Sequence, residues 1–321
     1  MVYFCSHYAK KPTMEQQFPL WVLVGPTASG KTRLAVHLAD RIGAEILSGD
    51  SRQVYRGMDI GTGKDLSEYA VDGRSVPYHL IDIVEPGTQY NLFEYQRDFR
   101  AAWEDLQQRF VSGVLCGGSG LYVESVLRSY RLDAVPPNPT LRERLESLSL
   151  EALKALLATY KTLHNTTDVD TVKRAVRAIE IEAYYREHPS AQETVPPIPS
   201  VVFGLQLDRE VRRERISRRL RERLQEGMVE EIQGLLTRGI APEQLLYYGL
   251  EYKYVTLYVT GALSYADAVR QLEISIHQFA KRQMTWFRGM ENRGIHIHWL
   301  DALDPVEVNV QRMLETVNPV G

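Results

Sequence analysis

The sequence predicts an α/β chain: parallel strands alternating with helices around a phosphate-binding loop, interrupted by a helical insertion. Three observations predict it. Gly25-Pro-Thr-Ala-Ser-Gly-Lys31-Thr32 fits the spacing G-x-x-x-x-G-K-[ST]. Short apolar runs then alternate with glycine-rich polar turns and helix-spaced stretches. Finally, two proline clusters, Pro136 to Pro139 and Pro196 to Pro199, bracket a leucine-spaced segment.

The loop has the context its chemistry needs. Leu20-Trp-Val-Leu-Val24 suits a buried strand, and Arg33 to Arg41 continues as a helix. Gly25 and Gly30 let the backbone of Thr27, Ala28 and Ser29 turn its N–H groups toward an anion at the helix start. Lys31 adds a point charge for a diphosphate, and the Thr32 hydroxyl suits a magnesium ion. A phosphorylated ligand follows from these residues.

Ala44-Glu-Ile-Leu-Ser48 reads as a second strand, so Asp50, Ser51, Arg52 and Gln53 fall at its C-terminal end, where parallel α/β sheets bind ligands. A Gly-rich loop, Arg56 to Lys64, comes next. Val76 to Val84 reads as a third strand, whose Asp82 would suit the magnesium-holding residue of a kinase. Helical spacing covers Asn91 to Phe110, and Val114-Leu-Cys116 is a strand that turns through Gly117-Gly118-Ser119 into another helix. In the insertion, Leu141 to Leu163 has helical spacing, and Asn165 to Asp168 offers cap chemistry for a helix carrying Lys173, Arg174 and Arg177. Val201 to Leu207 returns to strand. Ile216, Leu220, Leu224, Met228 and Ile232 then mark one amphipathic helix, with an arginine row that interleaved glutamates could pair. His296 to Leu300 is a final strand, its two histidines better read as exposed than as metal ligands.

Composition sets bounds. The chain has 321 residues, 44% apolar and 25% charged, with a net charge of −3, which argues against a generally basic nucleic-acid binder and confines any RNA site to a local patch. Cys5 and Cys116 suggest neither disulfide nor metal, and no apolar run is long enough for a membrane helix. Residues 1–17 read as a disordered tail without signal-peptide pattern, with Met14 an alternative start. A cytoplasmic monomer is the expectation.

The motifs in order, the P-loop, then Asp50-Ser-Arg-Gln-Val-Tyr55, Gly57-Met-Asp-Ile-Gly-Thr62, Gly117-Gly-Ser-Gly-Leu-Tyr122, Arg215-Ile-Ser-Arg-Arg219 and Lys281-Arg-Gln-Met-Thr-Trp286-Phe-Arg288, resemble those of the tRNA dimethylallyltransferases. The resemblance runs from Val22 to about Leu300. It implies an α/β fold with a P-loop three-layer parallel sheet core at 18–132 and 200–321, and a helical tRNA-binding insert at 133–199. It implies transfer of a dimethylallyl group from dimethylallyl diphosphate to N6 of the adenosine next to the anticodon, with Mg2+. Asp50 would be the base and Arg219 a diphosphate ligand beside Lys31 and Thr32. The tRNA anticodon stem-loop would meet Asp50, Ser51, Arg52, Gln53, Ser119, Arg142, Lys173, Arg174, Arg177, Lys281, Arg282, Gln283, Trp286 and Arg288. Where the family has Gly-Tyr-Arg/Lys-Gln, this chain keeps only Tyr252-Lys253, the matching candidates for base contact.

Three other readings share some of these residues. They are an adenylate isopentenyltransferase acting on free nucleotide, a P-loop small-molecule kinase, and an RNA-binding protein without catalysis. The intact Lys31, Thr32 and Asp50 weigh against the last.

Overall fold

The computed structural model describes residues 19–130, 135–160, 171–188 and 197–317. The expected tail at 1–17 and the cap at Asn165 to Asp168 lie outside them. The chain divides into two compact units, 1–130 with 197–321, and 131–196.

In the first unit, β1 (Leu20–Val24) leads to α1 (Lys31–Ile42), β2 (Glu45–Ser48), a hairpin of β3 (Ala70–Val71) and β4 (Arg74–Ser75), and β5 (Tyr78–His79). Then come α2 (Leu92–Gln108), β6 (Gly113–Gly117) and α3 (Gly120–Leu127). The second unit holds α4 (Pro139–Glu146), α5 (Leu150–Ala158) and α6 (Val172–Glu187). The first unit resumes with β7 (Ser200–Gln206), α7 (Arg209–Gln225), α8 (Met228–Thr237), α9 (Pro242–Leu245), α10 (Leu250–Val259), α11 (Tyr265–Asn292), β8 (Ile297–Asp301) and α12 (Val306–Val317).

Six strands form one parallel sheet in the order β5-β2-β6-β1-β7-β8. Side chains alternate across a strand, so β1 feeds two cores. Leu20, Val22 and Val24 pack with Tyr95 and Phe99 of α2, Val123 of α3 and Phe287 of α11. Trp21 and Leu23 pack on the other face with Leu34 and Leu38 of α1 and Met313 of α12. Helices therefore cover both faces, and β1 delivers its loop at the middle of the C-terminal edge.

Three sequence expectations are corrected. The third strand shrinks to Tyr78–His79 because Leu80 and Asp82 take left-handed backbone, φ 65° and 55°. Asp82 N–H then donates to Gln53 O, and its carboxylate bonds the ammonium of Lys64, which is fully buried and also meets Asp59 Oδ1 at 2.6 Å. The presumed kinase-type aspartate is thus a counter-ion. The long amphipathic helix expected through Ile232 breaks into α7 and α8 at Gly227, whose φ of 106° a residue with a side chain disfavours. The insertion's first helix likewise splits at Ser147 to Ser149, where the Ser149 side chain caps α5.

Within the second unit, Leu145, Leu153, Leu157, Ala175, Val176 and Ile179 form a small core. Beside it, the buried carboxylate of Glu180 accepts from Asn138 N–H at 2.6 Å, twice from Arg142 at 2.9 and 2.8 Å, and from Arg177. Arg142 and Arg177, expected at an RNA surface, both pair with this carboxylate while their side chains stay 38% exposed. Lys173 and Arg174 of α6 are exposed.

Asp82→Asn should lower stability by about 1.5–3 kcal/mol, because the buried Lys64 ammonium loses a charged partner; urea unfolding reads this directly. At the sheet edge, hydrogen bonds from Arg109, with His79 adding a second partner, hold the Glu45 carboxyl at about 2 against the opposing effect of burial. A depressed carboxylate contributes stability fully above its unfolded value of 4.5, and this is lost as pH falls toward about 2. Glu45→Gln should therefore flatten the acid limb of the stability curve in that window.

Candidate active site at the carboxyl edge of the sheet

The P-loop wraps as its residue types require. Ala28 takes left-handed backbone at φ 60° and Gly30 at φ 84°, so successive amides curl toward one side. Ser29 is buried, and its hydroxyl oxygen has no hydrogen-bond partner. A buried hydroxyl without a partner is unfavourable unless a ligand completes it. Burial lowers the pKa of Lys31, opposed by the charges of Asp50 and Glu68 and aided by that of Arg219. A half-buried ammonium within electrostatic reach of two carboxylates and an arginine suits a multiply charged anion.

The ends of β6 and β2, the next two strands along the sheet, supply the rest. Asp50 follows β2, and its Oδ1 accepts the Arg52 N–H at 2.9 Å. Ser51 N–H donates to Ser119 Oγ at 3.1 Å, so the β2 and β6 ends are tied through the two serines. Gln53 faces inward: its Oε1 accepts from Ser48 Oγ at 3.0 Å and its Nε2 donates to Gly63 O at 3.2 Å. The Arg52 guanidinium lies 4.9 Å over the ring of Tyr247, which is 51% exposed.

α11 carries a helix face inward and another outward. Gln283 is buried; its Oε1 accepts the Thr27 N–H at 2.9 Å and its Nε2 donates to Gly118 O at 2.8 Å. Gly118 must be glycine, since a Cβ there would come 2.5 Å from Gln283 Nε2 and 3.5 Å from Lys31 Nζ. Trp286 donates its indole N–H to the buried Glu124 at 2.9 Å. Lys281, Arg282 and Arg288 are exposed on the other face.

The structure thus brings together Gly25, Thr27, Ala28, Ser29, Gly30, Lys31, Thr32, Asp50, Ser51, Arg52 and Ser119. Gln283 and Tyr252, expected as RNA contacts, are buried, while Gln53 and Trp286 are half-buried. Gln53 and Gln283 brace the loops, and Trp286 is engaged with Glu124. Tyr252 is fully buried, donating its hydroxyl to Glu231 Oε1 at 2.6 Å, so it belongs to the core. Lys253 beside it is exposed. Arg219 bonds Asp65 at the end of the Gly-rich loop. Sequence reasoning missed Asp65 and Tyr247: the first sits in an ordinary polar loop, and the second in the stretch that departs from the family motif.

A family model described as IPP transferase matches residues 53–290, and one described as isopentenyl transferase matches residues 18–75. The chain is 59% identical over 293 residues to tRNA dimethylallyltransferase 2 of Bacteroides fragilis, covering 91% of this chain and 96% of that one. It is 56% identical over 303 residues to tRNA dimethylallyltransferase 1 of Parabacteroides distasonis, covering 94% and 99%. The solved tRNA isopentenylpyrophosphate transferase of Bacillus halodurans superposes with a TM-score of 0.69 at 31% identity, over 94% of this chain and 96% of that one. A eukaryotic dimethylallyltransferase acting on tRNA superposes at 0.75 with 22% identity, over 93% of this chain and 78% of that one, a likeness of fold. With its P-loop, its second-strand aspartate and its α11 motif in one fold, the chain belongs to the IPP transferase family of tRNA dimethylallyltransferases.

Proposed function

We propose that this protein transfers the dimethylallyl group of dimethylallyl diphosphate to N6 of the adenosine next to the anticodon in tRNA. The observation that carries the reading is the convergence, at one edge of the sheet, of Lys31 in the P-loop after β1 and the carboxylate of Asp50 after β2, whose charge acts on Lys31 across the single intervening strand β6. In the reaction the N6 lone pair attacks the allylic carbon, the carbon–oxygen bond breaks, and its electron pair leaves with the diphosphate. The charge that grows there is stabilised by the loop amides and Lys31. The N6 proton passes to Asp50, whose Oδ2 makes no hydrogen bond among the described residues while Oδ1 holds the Arg52 N–H.

The donor set suits magnesium. No cluster of three or more His, Cys, Asp or Glu that could hold a metal occurs among the described residues. A magnesium ion here would rest on the Thr32 hydroxyl and substrate phosphates, as Mg2+ does in many phosphate sites. It would neutralise the leaving diphosphate. The adenosine must leave its stack to reach a strand end inside the protein. The exposed Lys281, Arg282 and Arg288, with Lys173 and Arg174 in the other unit, suit RNA phosphates, and Tyr247 with Arg52 suits an unstacked base. A tRNA substrate supports work in the cytoplasm. No helix among the described residues is long and apolar enough to cross a membrane.

Incubation with dimethylallyl diphosphate and either tRNA, AMP or ATP, followed by mass analysis, tests the assignment. Modified adenosine should come from tRNA; efficient prenylation of AMP or phosphoryl transfer from ATP would replace the reading. Asp50→Asn should slow single-turnover transfer by about 100- to 10,000-fold with tRNA binding nearly unchanged. Retention of a tenth of the activity would instead make Asp50 a cap for the Arg52 turn. Replacing Lys281, Arg282 and Arg288 together with alanine should weaken tRNA binding and make its dependence on log salt shallower by roughly 2, with donor KM unaltered.

A further inference from the structure

The Gly-rich loop ends in charges that the reaction above leaves unused. Arg223 of α7 is only 8% exposed. Its guanidinium presses on the backbone of Gly63, where a Cβ would stand 1.8 Å from Nη2 and 2.6 Å from Cζ. Nη2 is buried without a hydrogen bond, and its nearest carboxylate oxygen, Asp65 Oδ2, is 3.5 Å away. One turn earlier on the same helix, Arg219 bonds that same oxygen. Two guanidiniums therefore converge on one carboxylate, and one of them is left short of an acceptor.

The cluster adjoins the proposed donor site. Asp65 precedes a short 3-10 turn, Leu66–Tyr69, that packs against α1, the helix Lys31 begins. Glu68 of that turn and Arg219 both act on the Lys31 charge. Half-buried Glu251 feels Arg223, Arg219 and Asp50 together. Burial first, and then Arg219, push the Arg223 guanidinium below its ordinary pKa, with Asp65 and Glu251 opposing. That is the direction for a cation short of counter-charge. An arginine fork suits phosphate oxygens, which accept two N–H bonds side by side.

On the reading of dimethylallyl diphosphate as donor, we propose that Arg223 is a second diphosphate-binding arginine beside Arg219. Asp65 is the resident counter-ion that both guanidiniums exchange for the diphosphate. Gly63 is then required for its missing side chain, which leaves room for the Arg223 guanidinium to lie at the loop. A phosphate of the RNA has the same chemistry, and the measurements separate the two sources.

The full chain is assayed as wild type, Arg223→Met, Arg223→Lys and Asp65→Asn. The readouts are kcat and KM for dimethylallyl diphosphate, inhibition by inorganic pyrophosphate, and tRNA affinity. Arg223→Met should raise donor KM and weaken pyrophosphate inhibition roughly tenfold, with a smaller effect on kcat and tRNA affinity unchanged. Arg223→Lys should recover part of the loss, and Asp65→Asn should tighten pyrophosphate, because the competing carboxylate is gone. A folded Arg223→Met enzyme with unaltered donor KM and pyrophosphate inhibition would reduce the arginine to a tether for the loop. Weaker tRNA binding with unaltered donor parameters would assign the contact to RNA and equally overturn the proposal. If Arg223→Met does not fold, Arg223→Lys and Asp65→Asn decide: unchanged pyrophosphate inhibition in both sinks it. Wild-type protein that yields no modified tRNA would defeat the proposed function itself, a result distinct from any of these.

Discussion

The geometry of the site depends on one buried amide. Gln283 reaches from α11 between two loops and uses both ends of its side chain, accepting from the Thr27 N–H and donating to Gly118 O. A buried amide that loses either partner leaves an unsatisfied polar group, so the two bonds hold the P-loop and the Gly118 turn at a fixed separation. Lys31 Nζ lies beside that turn, close enough that any side chain on Gly118 would touch it. The position of the charge that faces the ligand is therefore set by a residue 256 positions away from the loop in sequence.

The same helix shows how one motif divides its work. Gln283, Phe287 and Met290 are buried, and Trp286 is fastened through Glu124, which also takes Arg293 at 2.7 Å. Lys281, Arg282 and Arg288 project from the exposed face. Helical spacing separates the two sets. Glutamine and tryptophan in a basic motif suggest base contacts when seen as letters, but on this helix they are the inward, bracing members. The three cations are the exposed charged members of the motif.

Much of the fold was legible because it rests on short-range signals. The strand before Gly25, the loop spacing, the glycine pair at 117 and 118 and the return to strand at Val201 each carry a local pattern. Most of the failures share a different cause. Asp82 stood in an apolar run, and only the fold brings Lys64 to it. Arg142 and Arg177 had the look of a solvated basic face, yet Glu180 gathers both. Tyr252 was a candidate for base contact by motif position, and Glu231, on another helix, takes its hydroxyl into the core. For Asp82, Arg142 and Tyr252 the deciding partner lies on another element, so periodicity could not reveal it, whereas Glu180 sits three residues from Arg177 on the same helix and its pairing was open to helical spacing. The P-loop, Asp50 and Ser119 needed no such partner to be recognised, because loop and strand-end geometry alone brings them to one edge.

Charge placement gives the edge its direction. Elsewhere in the first unit, buried charges are matched: Lys64 by Asp59 and Asp82, and Glu124 by Arg293. Pairs of this kind are closed, since each ion already holds its counter-ion and further ligands would have to displace it. At the sheet's carboxyl edge the matching is incomplete. Ser29 has an unpartnered hydroxyl, Arg223 an unpartnered nitrogen, and Lys31 a half-buried ammonium with no hydrogen bond to a carboxylate among the described residues. Ser29 and Lys31 belong to the P-loop and Arg223 packs on the Gly-rich loop, and each calls for an acceptor or counter-charge. A fold that closes its ion pairs elsewhere and leaves these groups without full partners favours an anion that completes them.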